Sequence, residues 1–332
     1  MAAECSVCYV SDRNFLLPSL VSAIGLRKFV PAHKASVYIF STDEDDARIQ
    51  ELNRILTSYD IQILPMDSRS YSGFDVEKFD ASDTYIPLST LGRFSIDSLL
   101  PDSCRRIVYL DGDTWIRRDP TALIEAVIPE GRFAAAANTS FFSRNEKARY
   151  GTVSRNYWKG LGMGPDPEYF NGGVLTASRA TWRQVMTEAY AYFVKNTATC
   201  RYHDQSALNA VVGGRRWKLS LAWNFQTPYR HLGVEDFIAP KIYHFTHFPK
   251  PWMGSGIEPW AEMFPLYENE IRHLASLNLP RKMIANDEIR AANKQVVFQR
   301  YKLNYLLPFQ LWARRRDIRM YEKECPQLQI RS

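Results

Sequence analysis

Ile107-Val108-Tyr109-Leu110-Asp111-Gly112-Asp113 is the stretch that decides the fold. A short apolar run ends in two carboxylates with one glycine between them. Such a run, bounded by polar residues, reads as a buried strand. Carboxylates two positions apart on an extended chain point to the same side. Gly112 keeps the backbone bare between them, so a bulky anion can approach closely. The result is a hard, doubly negative, one-sided site at a strand end. It suits a divalent cation with positions left open for phosphate oxygens. Open α/β sheets collect their ligands at the carboxyl ends of strands. The stretch therefore predicts a metal-dependent enzyme acting on a phosphorylated or nucleotide-linked substrate.

Outward from this strand, apolar runs alternate with helical patterns. Strands are expected at 5–10, 36–40, 61–64 and 106–110, with helices at 15–29, 45–56 and 87–100 between them. That alternation implies an α/β fold with a mainly parallel sheet flanked by helices. Further strands are expected at 132–137, 170–176, 217–219 and 241–243, and helices at 180–195, 203–212 and 260–275. Residues 140–166 are rich in polar, glycine and aromatic residues and read as a loop or small insertion over the site.

The 332 residues, 45% of them hydrophobic, can bury a large core. No stretch reaches the roughly 18 consecutive apolar residues that span a bilayer. Residues 1–5 lack the basic and apolar pattern of a signal peptide. Five cysteines, few and odd in number, suit a reducing compartment without a disulfide framework. Cys5 and Cys8 have CxxC spacing within the first strand, with no second pair at zinc spacing, and read as structural. The net charge of +6 is unevenly placed: residues 281–332 hold 12 Lys/Arg against 5 Asp/Glu, so the preceding 280 residues are nearly neutral. This divides the chain into a catalytic domain, 1–280, and a basic aromatic tail, 281–332.

Three more constellations stand out. Phe170-Asn171-Gly172-Gly173-Val174 places an amide and two glycines before a strand, where glycine admits a ligand or makes a bulge. Asp204-Gln205 precedes an apolar helix that runs on to Leu208-Asn209; alone, Asp204 would be a cap. His244 to Trp252 gathers imidazole, lysine and aromatic rings. In this order the four segments resemble family 8 of the retaining glycosyltransferases. That family has a metal-binding D-x-D (Asp111 to Asp113), an F-N-x-G-V block (Phe170 to Val174), a D-Q-x-x-L-N block (Asp204 to Asn209) and an H-x-x-G-x-x-K-P-W block (His244 to Trp252). Asp12, Asn14 and Arg93 sit where the family contacts the nucleotide, and the resemblance covers about residues 4–275. His247 stands where the family has glycine; it either reshapes that loop or adds a phosphate contact. Asn138 falls near an acidic contact to the donor sugar in several bacterial relatives.

The resemblance implies an A-type glycosyltransferase fold, like that of nucleotide-diphosphosugar transferases. It implies Mn²⁺, or Mg²⁺, held by Asp111, Asp113 and His244; a mixed carboxylate and imidazole set suits Mn²⁺ better than Ca²⁺. Lys250 would neutralise the leaving diphosphate. Asn171, Asp204 and Gln205 would line the sugar and acceptor side. The implied reaction moves glucose or galactose from UDP-glucose or UDP-galactose to a glycan or lipid-linked acceptor in bacterial lipopolysaccharide or surface polysaccharide synthesis. The competing class is a non-catalytic, transferase-like binding or scaffold protein. The tail, where Tyr301, Tyr305, Phe309 and Trp312 alternate with Arg300, Lys302 and Arg314 to Arg316, suits an anionic membrane surface rather than nucleic acid. The expected location is cytoplasmic, peripheral on the inner face of the plasma membrane.

Overall fold

The computed structural model describes residues 3–66, 91–147, 149–164 and 167–330. Its strands are β1 (Cys5–Ser11), β2 (Ser36–Ser41), β3 (Ile61–Pro65), β4 (Arg106–Leu110), β5 (Thr114–Ile116), β6 (Phe133–Ala137), β7 (Phe170–Ser178), β8 (Arg216–Leu219), β9 (Phe225–Gln226) and β10 (Ile242–His244). The longer helices are α1 (Leu16–Arg27), α2 (Asp46–Leu56), α3 (Arg149–Gly160), α4 (Arg179–Lys195), α5 (His203–Val212), α6 (Phe264–Arg272), α7 (Asn286–Tyr301) and α8 (Pro308–Glu324).

Seven strands form one sheet in the order β3-β2-β1-β4-β7-β6-β8. All neighbours pair in parallel except β7, which runs antiparallel to both β4 and β6. Successive side chains of a strand face opposite sides. Accordingly Val7 and Tyr9 enter one core cluster with Leu20 of α1 and Leu52 of α2, whereas Cys8 and Val10 enter another with Trp182 of α4 and Leu208 of α5. This is a sheet between two helical layers, with both faces buried, as its near-continuous apolar strands require.

The second sheet, β5-β10-β9, is small but sets the site. β5 begins one residue after Asp113, β10 ends at His244, and Thr114 pairs with His244 in an antiparallel register. A strand pair joining residues far apart in sequence thus carries the histidine to the carboxylates.

Three expectations need correction. Residues 140–166 are largely helical: a 3₁₀ turn at Thr139–Ser143 and the helix α3 stand beside the cavity, and residues 165–166 lie outside the described residues. Of the helix expected at 87–100, residues 87–90 lie outside the described residues, and the remainder is two short turns, Gly92–Phe94 and Ile96–Leu99. The helix expected at 260–275 narrows to Phe264–Arg272 between 3₁₀ turns. In the tail, Ile289, Leu311, Ile318 and Tyr321 join the same core cluster as the sheet, and Ile330 bridges to Ala126. Among the described residues no helix is long and apolar enough to cross a membrane. All five cysteines carry free thiols.

Candidate active site

The carboxyl ends of β1 and β4 and the first residues of β7 meet at one rim of the sheet. β7 is reversed, so Asn171-Gly172-Gly173 at its start lie beside Asp111 at the end of β4, and the Asp111 amide donates to the Gly173 carbonyl at 2.9 Å. A tight turn, with the Thr114 amide and hydroxyl both on the Asp111 carbonyl (3.1 and 2.8 Å), presents Asp113 beside Asp111. His244 Nε2 lies 3.5 Å from Asp111 Oδ2 and 3.1 Å from Asp113 Oδ1. One ligand atom from each of these three residues falls within 4.8 Å of the others.

The glycines of this rim make room for protein groups. A Cβ on Gly112 would lie 2.4 Å from Ser19 Oγ, so α1 closes one side of this residue while its backbone lines the cavity. A Cβ on Gly172 would lie 2.7 Å from an Arg93 nitrogen, and one on Gly173 would lie 2.1 Å from His244 Cε1. The two glycines of the β7 motif let an arginine and the histidine pack against bare backbone.

Hydrogen-bond directions around the triad follow from two backbone amides. The Gly173 amide can only donate, so it fixes the Asn171 oxygen at 2.9 Å. That oxygen also accepts from the Asn224 side-chain nitrogen at 2.8 Å, which turns the Asn224 oxygen towards His244 Nδ1 at 2.9 Å. Nδ1 therefore carries the ring proton, and Nε2 offers its lone pair to the carboxylate side. The donor set fits a divalent cation: two carboxylates and a neutral imidazole in the ligating tautomer. Likewise the Gly172 amide fixes the Gln205 oxygen at 2.9 Å, which also accepts from Asn171 Nδ2 at 3.1 Å, while Gln205 Nε2 donates to Tyr169. Asn224, fully buried, was not singled out from the sequence. It is one polar residue among Trp223 and Phe225, and its role depends on a contact 53 residues away.

Arg93 lies beneath the carboxylates. It is 5% exposed, pairs with Asp204 at 2.6 Å and Asp111 at 3.0 Å, donates to the Gly172 carbonyl at 2.8 Å and covers the Tyr109 ring. Burial works against its charge, but Asp204, Tyr109 and Asp111 outweigh that and raise its pKa. Burial pushes the Asp204 carboxyl up to about 6; Arg93 opposes the shift and Asp111 adds to it. Burial would raise Asp113 too, yet the Lys250 ammonium beside it holds it well below the usual range. Lys250 Nζ donates to Asp113 Oδ2 at 2.7 Å and to the Phe245 carbonyl. Tyr109, two residues before Asp111 and on the same side of β4, donates to Asp111 Oδ1 at 2.9 Å; strand alternation could have identified it.

Beyond the triad opens a cavity of about 690 Å³. Asp12, Arg93, Asp111, Gly112, Asp113, Asn171, Asp204, Gln205 and His244 line it, as do Asn138 and His247, whereas Asn14 and Lys250 do not. Asp12 accepts from the amides of Asn14 and Phe15 at 2.9 and 3.0 Å, and so shapes the turn from β1 into α1. Asn14 itself is exposed on that turn. The far wall carries Tyr150 and Tyr157 from α3 together with Arg201 and Tyr202.

A Rossmann-like α/β sheet with a convergent Asp, Asp and His at its carboxyl rim defines the A-type glycosyltransferase class. The chain belongs to glycosyl transferase family 8, whose family model matches residues 6–256. It is a glycosyltransferase with a potential divalent-metal triad. General stress protein A of Bacillus subtilis (strain 168) is 25% identical over 221 residues, 61% of this chain and 71% of that relative. Probable galacturonosyltransferase-like 2 of Arabidopsis thaliana is 25% identical over 184 residues, 54% of this chain and 53% of that relative. Among solved structures, the galactosyltransferase LgtC in complex with donor and acceptor sugar analogs shares the fold with a TM-score of 0.62 at 19% identity, covering 86% of this chain and 99% of that one. The apo glycosyltransferase GlyE of Streptococcus pneumoniae TIGR4 gives 0.55 at 17% identity over 85% and 66%.

Proposed function

We propose that this chain is a metal-dependent retaining hexosyltransferase that moves glucose or galactose from a UDP-sugar to a saccharide or lipid-linked acceptor, in bacterial lipopolysaccharide or surface polysaccharide synthesis. The observation that carries the reading is the convergence of Asp111, Asp113 and a His244 Nε2 lone pair at a cavity of about 690 Å³, within the range of small-ligand sites. Asp111, Asp113 and His244 would hold Mn²⁺ or Mg²⁺, which supplies charge neutralisation as the diphosphate leaves. Lys250 adds positive charge beside Asp113, and His247 at the cavity mouth is a further phosphate contact. Asp12, on the cavity lining after β1, would meet the uracil or ribose, while Asn14 on the exposed turn beside it stands outside the lining. Tyr150, Tyr157 and Tyr202 offer flat faces to an acceptor sugar.

Retention by double displacement needs a free carboxylate below the sugar. Asp204 is bound to Arg93, and both ends of the Gln205 amide are committed to protein groups. A front-face course fits these residues: the acceptor oxygen bonds to the anomeric carbon as the carbon–phosphate oxygen bond breaks, and the acceptor proton passes to the leaving phosphate oxygen. A glycosyl adduct trapped on Asp204 during turnover would overturn this course.

The outer surface of α7, α8 and the turn Lys302–Leu306 between them supports docking on an anionic cytoplasmic leaflet. Phe298, Tyr301, Tyr305, Leu306, Phe309 and Trp312 are exposed, Phe309 to 86%. Arg300, Lys302, Arg316 and Arg319 stand among them. Aromatic and basic residues mixed on one face suit a membrane interface.

The test is UDP release from a panel of UDP-sugars, with Mn²⁺ or chelator, in wild type and Asp113→Ala. Metal-dependent release that disappears in the variant supports the transferase reading, and the fastest sugar names the donor. Absence of both metal binding and release, with a broad acceptor mixture present, would favour a non-catalytic scaffold.

A further inference from the structure

The cavity wall at Asn138 is held in an unusual way. Asn138 follows β6, whose ladder to β7 slips register between Ala135 and Ala137, a bulge at the last residue before the site. At a bulge the sheet no longer satisfies every backbone group, and side chains take over at Ala137. The Ala137 amide donates to the Tyr321 hydroxyl at 3.1 Å. The Ala137 carbonyl accepts from the Tyr229 hydroxyl at 2.8 Å and from Gln226 Nε2 at 2.9 Å.

Tyr321 belongs to α8, more than 180 residues further along the chain. Its hydroxyl is fully used: it donates to the Leu219 carbonyl at 2.8 Å and accepts from Arg216 at 2.6 Å and from Ala137. Arg216 in turn donates to the Ala135 carbonyl at 3.2 Å, so both sides of the bulge are tied to one hydroxyl. Tyr321 and Tyr229 are both buried. The residue that follows this clamp faces the cavity. Asn138 Oδ1 accepts from the Ser140 amide and hydroxyl at 2.9 and 2.7 Å, while its Nδ2 has no hydrogen bond among the described residues. The side chain therefore presents two N–H donors from a fixed position on the lining.

We propose that Tyr321 and Tyr229 are positioning residues for donor-sugar selection: by clamping Ala137 they aim the Asn138 amide at a hydroxyl of the transferred hexose. This rests on the transferase reading above. Neither tyrosine lines the cavity, so neither touches the donor, and the double variants with Asn138→Ala ask whether Asn138 is the lining residue through which each acts. Hydroxyl recognition by a fixed amide discriminates between sugars that differ at one carbon, because a misplaced hydroxyl leaves the amide's donors unpaired once the sugar covers them. The C-terminal helix thereby becomes part of the specificity machinery.

The experiment compares wild type, Tyr229→Phe, Tyr321→Phe, Asn138→Ala and each double variant. It measures kcat/KM for UDP-glucose and UDP-galactose, with melting temperature alongside. Tyr229→Phe leaves Gln226 on the carbonyl, so it serves as the milder variant should Tyr321→Phe fold poorly. The ratio of the two kcat/KM values should shift about tenfold in the tyrosine variants, as small displacements of a positioning group do. The shift should vanish in the Asn138→Ala background. An equal loss on both donors, tracking the folded fraction, would overturn the proposal, and so would a shift that persists undiminished without Asn138. Amide hydrogen exchange gives a second arm. The backbone amides of Ala137, which donates to Tyr321, and of Asn138, which donates to the Tyr169 carbonyl at 3.0 Å, should exchange faster in the tyrosine variants while β1 amides stay protected; uniform acceleration across the fold would refute the clamp. Exchange needs no turnover, so it judges the clamp even where Asp113→Ala leaves UDP release unchanged and the transferase reading itself fails.

Discussion

Replacing Gly173 with alanine should dismantle the metal triad while leaving the sheet intact. The added Cβ would sit 2.1 Å from His244 Cε1, 2.6 Å from His244 Nδ1 and 2.8 Å from Asp111 Oδ2. Ordinary contact begins near 3.4 Å, so the imidazole must retreat by about 1.3 Å. It has nowhere easy to go: His244 is 3% exposed, tied through Nδ1 to Asn224 and paired on β10 with Thr114. Overpacking of this kind costs about 1–3 kcal/mol of stability. Disturbing a ligand's support lowers metal affinity by about 10–100-fold, and displacement of about 1 Å at a reacting centre costs about 10²-fold in turnover. The assay is Mn²⁺ titration by calorimetry with UDP release and thermal melting, alongside Gly214→Ala, whose Cβ meets nothing within 4 Å among the described residues. A Gly173→Ala protein with unchanged Mn²⁺ affinity and unchanged release would refute the convergence of β4, β7 and β10 on one ion.

Asn224→Ala should weaken Mn²⁺ binding about tenfold or more by freeing the His244 tautomer, and should cost about 2–3 kcal/mol for the buried partners left unpaired; equal affinity in calorimetry would show that the tautomer lock is irrelevant. Asp204 titrates near 6, above its unfolded value of 3.8, so its native form takes up a proton first as pH falls. Its contribution to stability is fully present below 3.8 and is lost as pH rises through 6. Chemical denaturation of wild type and Asp204→Asn at pH 7.5 and 5 should show wild type gaining on the order of 1 kcal/mol relative to the variant; a difference independent of pH would sink that assignment. Phe309→Ser with Trp312→Ser should lower partition onto vesicles containing anionic lipid by about tenfold or more without shifting the melting temperature, since both rings are exposed; unchanged partition would remove the docking face.

The parallel core was readable because buried strands are short apolar runs and their ends are polar. Asp111 and Asp113 were readable as a carboxylate pair at a strand end, although a tight turn after β4, and not the strand alternation expected, brings them side by side. What escaped depended on partners far along the chain. Nothing local in Phe170 to Ser178 says that β7 is antiparallel, yet that reversal brings Gly173 to Asp111. At Gly112 a second reason for glycine, the incoming Ser19, could not be seen. Asn224 looked ordinary because its meaning lies in the orientation of Asn171. In α3, polar and aromatic residues hid a helix that has water on one side and the cavity on the other. In the tail, charge drew attention to the exposed face, while Leu311, Ile318 and Tyr321 on the other face join the core. A deletion after residue 295 would therefore damage the fold as well as any docking surface, and point substitutions are the cleaner probe.

The reversed strand also leaves the molecule lopsided in its tolerance for change. Every residue assigned chemistry stands at one rim, because β7 delivers its first residues where its neighbours deliver their last. Among the described residues, the opposite rim carries connections such as the exposed turns at 31–33 before β2 and 101–102 before β4. A reporter domain or affinity handle spliced into those turns would sit a full strand length from the triad. Engineering of this chain, and the natural drift of its loops, has a free end on which to work.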